Sequence, residues 1–185
     1  TFQPAAGGTF TDVPATHWAA GAVAFVSSQG LLQGISADTF APGQPMTRAM
    51  LVTALWREAG SPVVNYAMDF DDVDEDQWYT EAVRWAASEG IVTGTGKGFS
   101  PDAALTRESL AAILFRYAGG QADADQLDSY ADGAGVSAWA REAMNWAVAQ
   151  GLITGKSGGR LDPGGTASRA EVSAILMRYV QSAQA

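Results

Sequence analysis

Arginine is the residue type whose placement in this sequence most directly suggests a chemical role. Three of the 11 lysine and arginine residues recur about every 60 positions, each directly after a Thr or Ser that precedes an apolar stretch: Arg48, Arg107 and Arg169. A guanidinium group offers planar N–H donors that match a carboxylate in a bidentate manner. A cation is disfavoured in the first turn of a helix, where an anion is favoured. One such arginine is an ordinary surface residue, but three equivalent ones indicate an anion held jointly by a helix N-terminus and a guanidinium group.

Other residue types exclude most catalytic and metal-binding chemistry. The sequence contains no cysteine and a single histidine, His17, which excludes thiol nucleophiles, disulfides, zinc clusters and Ser-His-Asp triads. The acidic series Asp72, Asp74 and Asp76 lacks the glycine and the final glutamate of an EF-hand loop. We therefore expect no catalytic residue, no metal site and no cofactor.

The charge balance limits the partners that the chain can bind. Its 185 residues include 20 acidic and 11 basic side chains, a net charge of -9, so general affinity for nucleic acid or for an anionic membrane surface is not expected. No apolar run approaches the roughly 18 residues of a membrane-spanning helix, so no membrane insertion is expected. The chain begins at Thr1 without a methionine or a signal peptide, which indicates a fragment or a processed chain.

An internal repeat of about 60 residues organises the chain. It is visible in acidic and aromatic positions that recur in register: Asp12, Asp72 and Asp132, and Trp18, Trp78 and Trp139. The three copies are predicted over about 9–60, 69–119 and 129–181, with linkers rich in Gly, Asp, Pro and Ser. A copy of this size buries little surface by itself. We therefore predict one domain over 1–185, in which the copies share a core with pseudo-threefold symmetry.

Each copy contains two predicted helices. The first is predicted over 17–29, 77–89 and 138–150, and is followed by a glycine suited to a left-handed C-terminal conformation: Gly30, Gly90 and Gly151. The second follows an N-cap residue and ends near 59–60, 119 and 180, the caps being Thr47, Thr106 and Ser168. Ser168 and Glu171 match a capping box. Short strands are predicted at 35–40 or 98–99.

Several repeated side chains have both a structural and a ligand-binding interpretation. The first tryptophan of each copy either seals an edge of the core or presents a face to a sugar, and core packing is favoured for Trp18, Trp78 and Trp139. The repeated aspartate either braces the turn into the first helix or accepts hydrogen bonds from sugar hydroxyls, and neither is favoured for Asp12, Asp72 and Asp132. A second aromatic series is predicted to be core: Phe25, Trp85 and Trp146. The same is predicted of Trp56, Phe115 and Met177.

Further cations recur at two other places in the copies. One series lies near the end of the second helix, where a cation suits the helix dipole, and a structural role is favoured for it: Arg57, Arg116 and Arg178. The other lies in the glycine-rich loops of the last two copies and can add positive charge to a groove: Lys97, Lys156 and Arg160.

The openings of the two helices together match the pattern of a known family. The first opens as Phe10-Thr11-Asp12-Val13 and Phe70-Asp71-Asp72-Val73, and the second as Thr47-Arg48-Ala49, Thr106-Arg107-Glu108 and Ser168-Arg169-Ala170-Glu171. Over 10–180 the chain resembles a triplet of S-layer homology (SLH) domains. This resemblance implies a mainly α fold, in which three tandem repeats with two main helices each form three lobes around a central three-helix bundle.

The resemblance also implies a function. It implies a non-catalytic module that binds secondary cell-wall polymer of Gram-positive-type bacteria in grooves between the repeats, through a terminal pyruvylated N-acetylmannosamine. Such a module anchors an S-layer protein or a surface enzyme outside the cell, at the cell wall, and is expected to be monomeric within a larger surface protein. The main ligand contact is implied for Arg48, Arg107 and Arg169. The remaining expected ligand-binding residues are Asp12, Asp72, Asp132, Trp18, Trp78, Trp139, Gly30, Gly90 and Gly151.

The copies depart from the family pattern at identifiable positions. The glutamate that follows the arginine by two residues is present as Glu171, whereas Met50 and Ser109 replace it and Glu108 lies one place early. The third copy opens as Tyr130-Ala131-Asp132-Gly133.

Two other functions compete with an anchor. The alternative to glycan binding is a structural module that packs against protein neighbours in a surface lattice through its tryptophans. A glycoside hydrolase is the least favoured function, because it needs two carboxylates across one cleft. Threefold repetition favours multivalent binding, since avidity rewards several sites and catalysis needs one.

Overall fold

A computed structural model describes residues 10–94, 96, 98–121 and 124–183. Within these residues the chain is mainly helical, as predicted, and contains no strand. The six α-helices are α1 Ala20–Ser28, α2 Arg48–Glu58, α3 Thr80–Ser88, α4 Arg107–Tyr117, α5 Arg141–Ala149 and α6 Arg169–Ala183. Three short 3-10 helices lie in the third copy, at Leu127–Ser129, Gly133–Gly135 and Ala138–Ala140.

The second helix of each copy begins where the sequence predicts, because its cap is a local signal. The N–H of Met50 donates to Thr47 Oγ1, that of Ser109 to Thr106 Oγ1 and that of Glu171 to Ser168 Oγ, each at 3.2 Å. The capping box is also confirmed, since the Ser168 N–H donates to Glu171 Oε2 at 2.8 Å.

The first helix of each copy begins three residues later than predicted. The predicted starts were 17, 77 and 138, whereas the helices begin at Ala20, Thr80 and Arg141. In the first copy the buried stripe contains Ala19, Ala22, Val23 and Val26, so the helical period does not include the preceding tryptophan. The helices end in Schellman motifs, in which a glycine takes φ values of 71°, 69° and 67° at Gly30, Gly90 and Gly151.

The main pairs of α-helices form between copies. α2 packs on α3, α4 packs on α5, and α6 of the last copy packs on α1 of the first. The second helices also meet at their C-terminal ends, where the Tyr117 hydroxyl of α4 donates to Glu58 of α2 and the rings of Tyr117 and Tyr179 lie 5.7 Å apart. The arrangement therefore closes on itself as a cycle of three copies.

A ring of three backbone hydrogen bonds joins the segments that precede the second helices. The Met46 N–H donates to the Ala167 carbonyl at 2.9 Å, the Ala167 N–H to the Leu105 carbonyl at 2.8 Å, and the Leu105 N–H to the Met46 carbonyl at 2.8 Å. Antiparallel bridges flank this ring, at Pro45/Ser168, Thr47/Ala104 and Thr106/Thr166. The strands predicted at 35–40 and 98–99 are absent from the described residues, and β-type pairing occurs instead at these isolated points between copies.

The aspartate of each copy braces the chain ahead of the second helix. Both carboxylate oxygens accept backbone N–H groups, from Phe40 and Ala41 onto Asp12, from Phe99 and Ser100 onto Asp72, and from Leu161 and Asp162 onto Asp132, all within 2.7–2.9 Å. The second donor of each pair has a left-handed backbone, with φ of 59° at Ala41, 59° at Ser100 and 54° at Asp162. The carboxylate therefore stabilises a conformation that is unfavourable for a residue with a Cβ.

One core includes side chains from all three copies. It includes the equivalent residues Phe40, Phe99 and Leu161, none of which is exposed. The buried side chains Trp85 and Trp146 confirm part of the second aromatic series, whereas Phe25, Trp56 and Phe115 pack on the core while partly buried. No helix of the described part combines the length and apolar character needed to traverse a bilayer.

The aspartate brace predicts a pH-dependent stability. Burial alone would raise the pKa of Asp132, but the N–H groups of Leu161 and Asp162 outweigh burial and hold that pKa below its ordinary value. The folded state therefore gains stability from the carboxylate above the unfolded pKa of about 3.9, and loses it as the pH falls through the lower folded pKa. We expect Asp132→Asn to lower the free energy of unfolding by about 1 kcal/mol at pH 7, with a smaller difference at pH 3.

Urea unfolding of both chains at pH 7, 5 and 3 measures this difference. Asp128→Asn, at an exposed position in the same copy, is the matched control and should leave the stability unchanged. A destabilisation by Asp132→Asn that is the same at all three pH values would contradict the role of the charged carboxylate.

Candidate functional site: three grooves between the copies

Three surface grooves are related by the pseudo-threefold arrangement, and each combines residues of all three copies. Each groove is numbered by the copy that forms its floor, and that copy supplies the arginine near the end of its second helix. The preceding copy in the cycle supplies the arginine that begins its second helix, and the following copy supplies a tryptophan. Groove 1 contains Arg57, Arg169 and Trp78; groove 2 contains Arg116, Arg48 and Trp139; groove 3 contains Arg178, Arg107 and Trp18.

The arginine that opens each second helix bridges two copies. Each Nε donates to the carbonyl of a buried core residue of the next copy, from Arg48 to Phe99 at 2.9 Å, from Arg107 to Leu161 at 2.7 Å and from Arg169 to Phe40 at 2.8 Å. An Nη2 donates to a second carbonyl there, of Thr93 at 3.5 Å, Thr154 at 3.0 Å and Gln33 at 2.6 Å respectively. The arginines therefore tie the copies together as well as lining the grooves.

Burial and an aromatic ring affect two of these bridging arginines. The guanidinium of Arg48 lies 4.8 Å from the ring centre of Phe99, and that of Arg169 lies 4.5 Å from Phe40. Burial lowers the pKa of Arg48 and of Arg169, yet a guanidinium group stays protonated in proteins. Both side chains therefore keep their charge and gain cation–π stabilisation from the aromatic ring.

The helix N-termini beneath these arginines are already occupied. The N–H groups of Arg48 and Ala49 donate to the carbonyls of Ala103 and Pro101 in the next copy, at 3.1 and 3.0 Å, and the third N–H is capped by Thr47. The other two copies repeat this arrangement, with carbonyls of Gly165 and Pro163 and of Gln44 and Pro42. The sequence prediction of an anion shared between the helix N-terminus and the arginine is therefore wrong.

The first tryptophan of each copy is exposed and faces a groove. Trp18 is 66% exposed, Trp78 58% and Trp139 60%, so the favoured interpretation as core residues is wrong. The reason is the late start of the first helix, which leaves each tryptophan in the preceding turn, outside the buried stripe. An exposed indole beside a cation provides a flat apolar surface for the C–H face of a sugar.

A second arginine in each groove was interpreted from the sequence only as a partner of the helix dipole. Arg57 donates to the carbonyl of Leu31 at 3.2 Å, and Arg178 to that of Leu152 at 3.1 Å, while Arg116 lines groove 2. Burial lowers the pKa of Arg57. Their recurrence in all three copies was the available signal, but only the packing between copies shows that each faces the bridging arginine of a neighbour.

The charges of the grooves contrast with the net charge of the chain. Among the described residues that line grooves 1 and 2, each groove has two arginines and no carboxylate. Groove 3 has two arginines together with Lys156 and Glu171, and the Glu171 carboxylate lies 3.5 Å from Arg107 and from Lys156. Local positive potential in a chain with a net charge of -9 favours a ligand with a defined anionic group.

Other expected ligand-binding residues lie elsewhere in the structure. The aspartates Asp12, Asp72 and Asp132 bind backbone N–H groups, and the glycines Gly30, Gly90 and Gly151 end helices; none belongs to the residues that line the three grooves. Of the loop cations, Lys156 lines groove 3, Arg160 lies 3.6 Å from Asp132, and Lys97 lies outside the described residues. The arginines and tryptophans are thus the expected residues that the fold brings together.

Comparison with known proteins identifies the repeat. The model of the S-layer homology domain matches residues 9–49, 69–111 and 129–173. The chain is 29% identical to the S-layer protein sap of Bacillus anthracis over 94% of this chain and 21% of that protein. It is 28% identical to an amylopullulanase of Thermoanaerobacterium thermosulfurigenes over 91% of this chain and 9% of that protein. It is 27% identical to the exoglucanase XynX of Acetivibrio thermocellus over 91% of this chain and 16% of that protein.

The matched regions extend over most of the chain and coincide with its repeats. In the relatives described above, the chain corresponds to about a fifth of the protein or less. The sequence prediction of an SLH triplet is therefore confirmed, and the chain belongs to the S-layer homology domain family.

Proposed function

We propose that this chain is a non-catalytic module that anchors a larger protein to a bacterial cell wall by binding a wall polysaccharide in its three grooves. The observation that carries the proposal is the shared composition of the grooves, in which two arginines face an exposed tryptophan. Guanidinium groups bind an anionic substituent, and the indole contributes apolar contact to a sugar ring. The expected cell-surface location is confirmed by the family and by the S-layer proteins among the relatives.

The relatives support an anchoring role over a catalytic one. Their names include S-layer proteins, an amylopullulanase and an exoglucanase, which share this region while differing in activity. A region that occurs both in S-layer proteins and in hydrolases has a role, such as anchoring, that does not depend on hydrolytic activity. Among the described residues that line the three grooves, Glu171 is the single carboxylate, so the grooves do not supply the carboxylate pair of a glycosidase.

We propose further that the ligand is the secondary cell-wall polymer and that its terminal pyruvylated N-acetylmannosamine enters the grooves. A pyruvyl ketal carries one carboxylate on a sugar ring, so it presents an anion and an apolar face together. This combination fits a pair of guanidinium groups beside an indole. Recognition through one end group also explains how a chain of net negative charge binds an anionic polymer, because the attraction is local.

Cosedimentation with cell walls tests the role of the pyruvyl group. We expect the purified chain to pellet with pyruvylated Gram-positive-type walls and to remain in solution with the same walls after removal of the ketal, because the arginines then lose their carboxylate partner. Equal binding to both wall preparations would contradict the proposed ligand.

Replacement of the second arginines tests the grooves without removing the hydrogen bonds that the bridging arginines form between copies. We expect Arg57→Gln, Arg116→Gln and Arg178→Gln together to weaken wall binding by on the order of tenfold or more, since each removes a charged hydrogen bond to the carboxylate. The bridging arginines are less suitable, because Arg48, Arg107 and Arg169 also hold the copies together.

Arg141→Gln is the matched control, since Arg141 is not among the residues that line the grooves. It pairs with Asp125 at 3.0 Å, and an exposed ion pair contributes little. Cosedimentation measures binding, and thermal unfolding shows that each variant is folded. Unchanged binding by the folded triple variant would contradict the role of the grooves.

The exposed tryptophans also favour a second function, a packing module in a surface lattice. Light scattering after size exclusion separates the two functions without any ligand. An anchor is expected to remain monomeric at micromolar concentration, whereas a lattice module self-associates, and Trp18→Ala, Trp78→Ala and Trp139→Ala together then restore the monomer. Self-association with no wall binding would favour the lattice function.

A further inference from the structure

We propose that the three grooves are unequal and that groove 2 is the principal binding site, with the Arg48 guanidinium as its main contact to an anionic sugar. This inference rests on the proposed function and states which of the three related sites carries most of the affinity. It is drawn from the size of the grooves, the partners of the bridging arginines and the support of the tryptophan.

Groove 2 is the most spacious of the three. Its volume is about 280 Å³, compared with about 170 Å³ for groove 1 and for groove 3. One side chain in the floor of each groove, the third residue of the second helix, contributes to this difference. It is the small Ser109 in groove 2, Met50 in groove 1 and Glu171 in groove 3. A ligand therefore meets less obstruction beside Arg48 than beside the other two bridging arginines.

The bridging arginines differ in what already contacts them. In groove 3, Arg107 is 4% exposed and its Nη1 lies 3.5 Å from the Glu171 carboxylate. In groove 1, Arg169 is also 4% exposed and its Nη1 lies 3.9 Å from the Met50 sulfur. Arg48 is less buried, its Nη2 contact to Thr93 is long, at 3.5 Å, and no carboxylate of the described residues lies within ion-pair distance of it.

Like charges meet in groove 2. Burial lowers the pKa of Arg48, the nearby positive charge of Arg116 lowers that pKa further, and the Asp72 carboxylate offsets part of the lowering. A carboxylate placed between the two guanidinium groups would relieve this repulsion as well as accept their hydrogen bonds. In groove 3, by contrast, a ligand carboxylate has to compete with Glu171 for Arg107.

The tryptophan of groove 2 is held by a clamp from α4. Both carboxylate oxygens of Glu108 bind Ser137, one accepting its backbone N–H at 3.0 Å and the other its hydroxyl at 2.9 Å. Ser137 directly precedes the 3-10 helix Ala138–Ala140, which carries Trp139. The positions equivalent to Glu108 are Ala49 and Ala170, which have no side-chain acceptor. The glutamate of the second copy thus lies one residue earlier than Glu171 does in the third. At that position it fixes the turn that carries the tryptophan and forms no ion pair with Arg48.

Groove 2 also continues beyond its tryptophan. A neighbouring pocket of about 150 Å³ shares Ala112, Arg116 and Trp139 with groove 2 and adds Phe115 and Glu142. Its single arginine and single glutamate are balanced in charge, and they can exchange hydrogen bonds with neutral hydroxyl groups. This pocket can therefore accept the sugar next to the anionic end group.

Single tryptophan replacements test the inference, since each groove has its own tryptophan. Titration calorimetry uses pyruvylated N-acetylmannosamine as the probe, with Trp139→Ala, Trp78→Ala and Trp18→Ala compared with the unaltered chain. We expect Trp139→Ala to weaken the tightest binding by on the order of tenfold, and the other two replacements to leave it within about twofold. Tyr66→Ala, an exposed aromatic outside the grooves, is the control.

The outcomes separate the inference from the proposed function. Equal losses from the three tryptophan variants, or a larger loss from Trp18→Ala or Trp78→Ala, would overturn the ranking of the grooves while leaving wall binding intact. Absence of binding by the unaltered, folded chain would overturn the proposed function and this inference with it.

The role of Glu108 as a positioning residue has its own readout. We expect Glu108→Ala to weaken binding of the same sugar by about threefold and to shift the fluorine resonance of 5-fluorotryptophan at Trp139, which Trp139→Phe identifies. Glu108→Gln retains an acceptor for the Ser137 N–H and should restore most of both. Unchanged affinity and an unchanged Trp139 resonance in Glu108→Ala would contradict the clamp.

Discussion

The structure depends on three backbone hydrogen bonds that link Met46, Leu105 and Ala167 in a closed ring. Each bond joins two copies, so no copy can satisfy these groups alone, and a buried unpaired backbone group is costly. The ring fixes the point from which the three second helices start. It thereby brings the first arginine of each helix beside a buried residue of the next copy, whose backbone carbonyl accepts a hydrogen bond from that arginine.

Phe40, Phe99 and Leu161 connect the two sets of polar contacts. The N–H of each donates to the aspartate of its own copy, and its carbonyl accepts from the arginine of the preceding copy. The repeated aspartate and arginine therefore act on opposite sides of one peptide segment. The aspartate sets the conformation of that segment, and the arginine that binds the segment lines a groove. Contacts that stabilise the fold therefore lie directly beside the proposed binding sites.

What the sequence allowed to be predicted follows the range of each interaction. The repeat, the N-caps at Thr47, Thr106 and Ser168 and the helix-ending glycines depend on neighbours a few residues away, and these were predictable. The pairing of α6 with α1 and the occupation of the helix N-termini by carbonyls of another copy depend on contacts between distant parts of the chain. For that reason the sequence predicted the groove arginines but placed the anion partly at the helix N-termini. It also favoured burial of the first tryptophans, which lie outside the apolar stripe of the helix that follows them.

The construction of each groove from three copies has a consequence for how such a chain can diversify. Exchange of one copy by recombination would alter the floor of one groove, the bridging arginine of a second and the tryptophan of the third. No groove can therefore be replaced independently of the other two by exchanging a copy. Point substitutions at a position such as the one occupied by Met50, Ser109 and Glu171 each act on one groove and leave the shared frame intact. Evolution of new wall specificities in this architecture is therefore expected to proceed by single residues within a fixed number of copies, since the ring closes with three.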